Sequence, residues 1–123
     1  MASLFDLLQQ LISVLLAIIS LFGLKTNTVD VELYANPTSG YTWEYSYDKK
    51  GVLTLSDSYY MPDSSAILSN GGGTQIFTFR AVGTGTVNIT FNYKENISEN
   101  IASTYIYTYS VDESGEITLL NIQ

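Results

Sequence analysis

From residue 28 onward the apolar residues recur with a period of two, and that pattern constrains the fold more than anything else in the chain. Val29, Val31 and Leu33 alternate with Asp30, Glu32 and Tyr34, so a strand here would bury one face and wet the other. Tyr41, Trp43, Tyr45 and Tyr47 make one aromatic face against Thr42, Glu44 and Ser46. Phe77, Phe79 and Ala81 share a face within 74–82, and Val87, Ile89, Phe91 and Tyr93 share one within 86–93. Tyr105, Tyr107, Tyr109 and Val111 do the same within 104–111, and the segments 52–61 and 116–122 complete about seven strands. Polar or glycine-containing turns at 48–51, 83–85 and 112–115 separate them. The expectation is an all-β, antiparallel sandwich with one core.

Residues 1–23 follow a different rule. Positions 11–22 contain only Ser13 and Ser20 as polar groups. That length fits a secretory h-region and is short for a membrane span. No Lys or Arg precedes the apolar run, and Asp6 stands where positive charge is expected. Asp6, Gln9, Gln10, Ser13, Ala17 and Ser20 recur at helical spacing, which leaves a broad apolar face. The segment therefore reads as a signal peptide, a membrane anchor, or an amphipathic helix packed on the domain or a partner. A polar linker at 25–28 leads into a domain spanning 24–123. The first two readings put the domain outside the cytosol, as a secreted, lumenal or membrane-anchored protein.

Composition removes whole classes of chemistry. The 123 residues include no Cys and no His. That excludes disulfides, thiolate nucleophiles, His-based triads and the usual zinc sites. Five Lys+Arg against twelve Asp+Glu give a net charge of −7, which argues against nucleic-acid binding because few cations can neutralise phosphates. No cofactor or metal is expected. Asp112, Glu113 and Glu116 resemble a weak calcium site only superficially, and solvating a turn is the simpler reading. Asn88-Ile89-Thr90 and Asn96-Ile97-Ser98 are glycosylation sequons in form.

The longer connections are not scattered. Those at 35–40, 63–73 and 94–103 are the first, third and fifth along the chain. If strands alternate in direction, all three fall at one end of the sandwich and the short turns at the other, the arrangement of a three-loop binding end. In the first, Asn36-Pro37-Thr38-Ser39-Gly40 joins a fixed proline φ, two hydroxyls and a permissive glycine. In the second, Asn70-Gly71-Gly72-Gly73 offers backbone amides that a partner could approach closely. Trp43 reads as core, because its face continues into Tyr45 and Tyr47.

Asn36-Pro37-Thr38-Ser39-Gly40-Tyr41-Thr42-Trp43 resembles the Asn-Pro-Thr-Thr-Gly-aromatic-x-Trp motif of the chagasin family, inhibitors of papain-like cysteine peptidases. Tyr59-Tyr60-Met61-Pro62-Asp63-Ser64 is similar to the segment before that family's second loop, and Asn70-Gly71-Gly72-Gly73-Thr74 to its Gly-x-Gly-Gly-Thr. Positions 83–91 resemble the strand that follows, so the likeness covers about 29–93. The resemblance implies an immunoglobulin-like sandwich and a reversible inhibitor whose partner is a papain-like cysteine peptidase. Loop 1 (Asn36, Pro37, Thr38, Ser39, Gly40) would enter the catalytic centre, with Thr38 nearest the enzyme's Cys-His pair. Loop 2 (Asn70, Gly71, Gly72, Gly73) would flank it. The family's third loop carries Arg-Pro-Trp or an aromatic variant, and the aligned positions here are Tyr93, Lys94 and Glu95, with Ile97 and Ile101 further on.

The family also places a strand before the one at Val29, whose position either 116–122 or part of 11–24 could fill. On this reading Thr38→Ala with Gly72→Glu abolishes inhibition and leaves the thermal transition intact. A non-inhibitory, cell-surface binding or adhesion module on the same fold is the alternative.

Overall fold

Alternation of apolar and polar side chains leaves each strand one dry face, and two sheets meeting on those faces satisfy all of them. The computed structural model describes residues 3–21, 27–63 and 71–123. After a helix, α1 (Leu4–Leu21), come β1 (Thr28–Ala35), β2 (Tyr41–Tyr47), β3 (Leu53–Pro62), β4 (Gly73–Ala81), β5 (Gly85–Glu95), β6 (Ile101–Val111) and β7 (Ile117–Ile122). One antiparallel sheet has the order β1-β4-β3 and the other β2-β5-β6-β7. The seven expected strands and the antiparallel sandwich are present. Of the two segments that could have supplied an extra sheet position, the last strand takes one, at the edge beside β6.

Helix α1 starts where local hydrogen bonding permits. Ser3 Oγ accepts from the Asp6 amide at 3.2 Å, and an Asp6 carboxylate oxygen accepts from the Ser3 amide at 3.4 Å. This reciprocal cap explains the acidic residue at position 6, which suits the positive end of a helix. Among the described residues no helix is long and apolar enough to cross a membrane. Cleavage after position 23 and the linker at 25–26 lie outside the described residues.

The core is a stack of rings between the sheets. Phe79, Phe91, Val87 and Ile89 are fully buried, and Tyr109 is 2% exposed. Phe91 meets Phe77 at 5.4 Å and Phe79 at 6.0 Å between ring centroids, while Tyr45 meets Phe79 edge-on at 5.7 Å. Edge-to-face contacts of this kind add to the burial itself. The members come from the faces that alternation assigned.

Two features depart from the expectation. The third connection at the loop end, expected over 94–103, is much shorter. Strands β5 and β6 run on to Glu95 and back from Ile101, with a register shift between Tyr93 and Lys94. Tyr93, Lys94 and Glu95 therefore lie in a strand, and the hairpin tip is 96–100. The second departure concerns the glycines. A Cβ on Gly73 would collide with the Met61 carbonyl oxygen, and one on Gly72 would lie 2.5 Å from the Ala35 carbonyl oxygen and from the Tyr34 ring. Both residues are buried. They are glycine because β1 and β3 close around them, so Gly72→Glu breaks the fold and cannot serve as a neutral probe of binding. Asn70 lies outside the described residues.

Two outcomes follow from this packing. Gly73→Ala should lose about 1–3 kcal/mol in chemical denaturation, because backbone must move to admit the methyl group. Gly40 has φ +83°, and a side chain there would meet nothing within 4 Å, so Gly40→Asn should cost less than about 1 kcal/mol, asparagine tolerating this region. Burial pushes the Tyr109 hydroxyl up from 10.0 to about 12, and burial also raises Tyr107 and Tyr47. A raised folded-state value means that the stabilisation is complete below pH 10 and drains away as the pH climbs through about 12. The urea midpoint should fall over that interval, and Tyr109→Phe should flatten the fall.

Candidate functional site

Strand register decides which connections share an end. Ala35 and Pro62 both pair with Gly73, so the chain leaves the first sheet side by side at Asn36 and at Asp63. Tyr41 pairs with Glu95, and the Asn96 amide donates to the Gly40 carbonyl at 2.8 Å. The hairpin tip 96–100 thus touches loop 1. The connections 48–52, 82–84 and 112–116 lie at the opposite end, where Leu53 pairs with Ala81 and Val111 with Ile117.

Loop 1 is built from its own polar atoms. Pro37–Ser39 form a single 3-10 turn, capped by Asn36 in extended backbone and closed by Gly40 in the left-handed region. Asn36 Oδ1 accepts from the Thr38 amide at 3.0 Å and from Thr38 Oγ1 at 2.6 Å. Ser39 Oγ donates to the Asn36 carbonyl at 2.6 Å and accepts from the Tyr41 amide at 3.3 Å. Pro37 sits at a position whose missing amide hydrogen costs nothing. The hydroxyls that read as groups for a partner are thus engaged in bracing the turn. Thr38 Oγ1 has given its proton inward and can present only lone pairs outward.

Tyr93 fastens this turn to the second sheet. Its ring stacks on Trp43 at 4.7 Å and on Tyr41 at 5.4 Å. Its hydroxyl accepts from the Asn36 amide at 3.0 Å and lies 3.2 Å from Ser39 Oγ. Sequence reasoning put Tyr93 on the face of Val87, Ile89 and Phe91 and also counted it with Lys94 and Glu95 as a third-loop contact; in the structure it supports loop 1 from within β5. Trp43 packs against the core as expected, and its Nε1 donates to the Tyr34 carbonyl at 2.8 Å.

The hairpin tip carries its own small network. Lys94 lies 2.7 Å from Glu99 and 3.6 Å from Glu44. The hydrogen bond to Glu99 chiefly holds its ammonium above the ordinary lysine value. Ser98 Oγ donates to Glu95 at 2.5 Å, and Thr42 Oγ1 donates to Asn96 Oδ1 at 2.6 Å. Ile97 stands clear at 92% exposure, the most exposed apolar side chain at this end among the described residues. Asn88 is tied to Asp48 and Thr108 inside β5, and Asn96 at the tip is tied to Thr42. Asp112 accepts from Ser114 and from the Glu116 amide, and these bonds, led by the Ser114 hydroxyl, hold its carboxyl below the usual range. No cluster of acidic residues able to hold a metal ion occurs among the described residues.

Known proteins resemble this chain. Residues 25–111 match the family model described as Chagasin family peptidase inhibitor I42. Chagasin from Trypanosoma cruzi is 36% identical over 70 residues, covering 51% of this chain and 62% of chagasin. The match therefore spans less than two thirds of that relative's length. Among solved structures, the cysteine protease inhibitor EhICP2 from Entamoeba histolytica superposes with a TM-score of 0.58 at 18% identity, over 66% of this chain and 75% of that one. The solution structure of amebosin does so with a TM-score of 0.50 at 26% identity, over 68% and 77%. The family model spans most of the chain, and the protein belongs to the chagasin family of peptidase inhibitors, a family of inhibitors and not of enzymes.

Proposed function

We propose that this protein is a reversible inhibitor of papain-like cysteine peptidases that lays its three-loop end across the active-site cleft. Family membership supports the partner class, and one observation carries the mode: loop 1 is a pre-formed 3-10 turn whose polar groups are satisfied within the loop and by Tyr93. Such a turn loses little entropy on docking. Its tight backbone also differs from the extended strand that a peptide adopts when it adds to a sheet edge or lies in a groove. In this reading Thr38, with Pro37 and Ser39, enters the centre of the cleft. Gly71 and the backbone around Gly72 and Gly73 flank it on one side, and the hairpin tip with Ile97 flanks it on the other.

Residues 1–23 then serve to carry the domain out of the cytosol, as a secretory signal or a membrane anchor. The apolar run and the exposure of α1 at Leu4, Phe5, Leu7, Leu8, Leu11, Ile12 and Val14 support this role. The charged, short hairpin favours a second reading, a surface module that kept the fold and lost inhibition.

Titrating the full chain against a panel of papain-like peptidases separates the two. Dose-dependent, reversible inhibition is expected, and silence across the panel at micromolar concentrations would sink the proposal. Asn36→Ala removes the acceptor that holds both Thr38 groups. A lost cap of this kind is worth about 1 kcal/mol, so the inhibition constant should rise by up to about fivefold and the thermal midpoint should fall by a few degrees.

A further inference from the structure

The sandwich is incompletely filled just below loop 1. A cavity of about 240 Å³ opens there between the sheets, bordered by Pro37 of the loop and by the rings of Tyr41, Trp43 and Phe77. Small side chains stand at its border. Ala35 pairs with Gly73, and Ser58 stands opposite Phe77, after the register shift in β3. The space exceeds the cavity of about 150 Å³ known to admit benzene when lined by apolar side chains.

Its polar border is only partly used. Gln75 Nε2 donates to Ser58 Oγ at 2.9 Å and to the Tyr59 carbonyl at 3.1 Å. That leaves Gln75 Oε1 as an acceptor and the Tyr60 hydroxyl as a donor at the same border. Among the described residues no charged side chain lines the cavity, so neither an anion nor a cation would be favoured. Three rings facing one space, with a donor and an acceptor at hand, suit a neutral aromatic group that carries its own polar atom.

We infer that this cavity is a subsite for one tyrosine or tryptophan side chain of the docked peptidase, a contact beyond the loop tips themselves. The ring would enter beside Trp43 and Phe77, and its O–H or N–H would meet Tyr60 and Gln75. Pro37 belongs to both loop 1 and the cavity border, so a partner seated on the loop end covers the opening. The inference rests on the inhibitor reading for the identity of the partner, but the cavity's chemistry can be probed without any peptidase.

The probes are p-cresol and toluene, added to the full chain and followed by the indole N–H resonance of Trp43, the single tryptophan. Saturable shifts are expected with both, with p-cresol binding about fivefold more tightly, as one added hydrogen bond allows. Ser58→Phe should abolish both shifts by filling the space, and Tyr60→Phe should reduce the preference for p-cresol while leaving the core untouched. No shift up to the solubility limit, or an undiminished shift in Ser58→Phe, overturns the subsite. Against a peptidase that the wild type inhibits, Ser58→Phe should raise the inhibition constant about tenfold. An unchanged constant overturns the assignment to the partner's side chain. Binding of p-cresol without any inhibition by the wild type marks failure of the functional reading, and inhibition without binding of p-cresol marks failure of this inference alone.

Discussion

The hydroxyl of Tyr93 joins loop 1 to the second sheet. Its ring is stacked in the second sheet between Tyr41 and Trp43, while its oxygen holds the first amide of loop 1. Without this link the turn 37–39 would lose its direct hold on the ring stack. With it, the position of the turn is set by aromatic packing that continues down into Phe77, Phe79 and Phe91. The Trp43 indole makes a matching bond to the backbone of β1. Both sheets thus grip the loop, and the rigidity of the tip follows from the rigidity of the core.

Much of this was legible in the residues. Period-two alternation assigned the inward faces of Val29 to Leu33, of Tyr41 to Tyr47 and of Val87 to Phe91, and burial follows those faces. Counting connections placed three of them at one end, because antiparallel neighbours leave no other choice. What escaped was decided by backbone details with no pattern of their own. The register shift after Tyr93 keeps Lys94 and Glu95 in the ladder and shortens the hairpin. Ser39 and Thr38 look outward-facing by type, yet each finds an acceptor on Asn36 two or three residues away. The habit of such side chains to bond local backbone is general, but which bond wins depends on the turn actually adopted.

The glycines show the same limit from another side. A run of three beside a turn suggests flexibility or a partner's approach. Here the reason for two of them is internal, since the carbonyls of Ala35 and Met61 occupy the space where side chains would stand. Close packing of this kind needs the neighbouring strands to be known, and periodicity says nothing about it. It also moves loop 2 from the class of adaptable segments into that of fixed ones, at least where it meets β4.

A fixed first loop and a fixed base for the second place the burden of accommodation elsewhere. The hairpin tip is held by side-chain contacts on its polar face, through Glu95, Ser98 and Lys94, but Ile97 is packed against nothing among the described residues. An aliphatic side chain in that position offers area without direction. It can slide over differing apolar surfaces where an aromatic anchor would demand one matching ring. In the inhibitor proposed above, the rigid turn would supply placement and the hairpin would supply tolerance. A binding end divided in this way would gain affinity from pre-organisation and breadth from the one contact that carries no hydrogen bond.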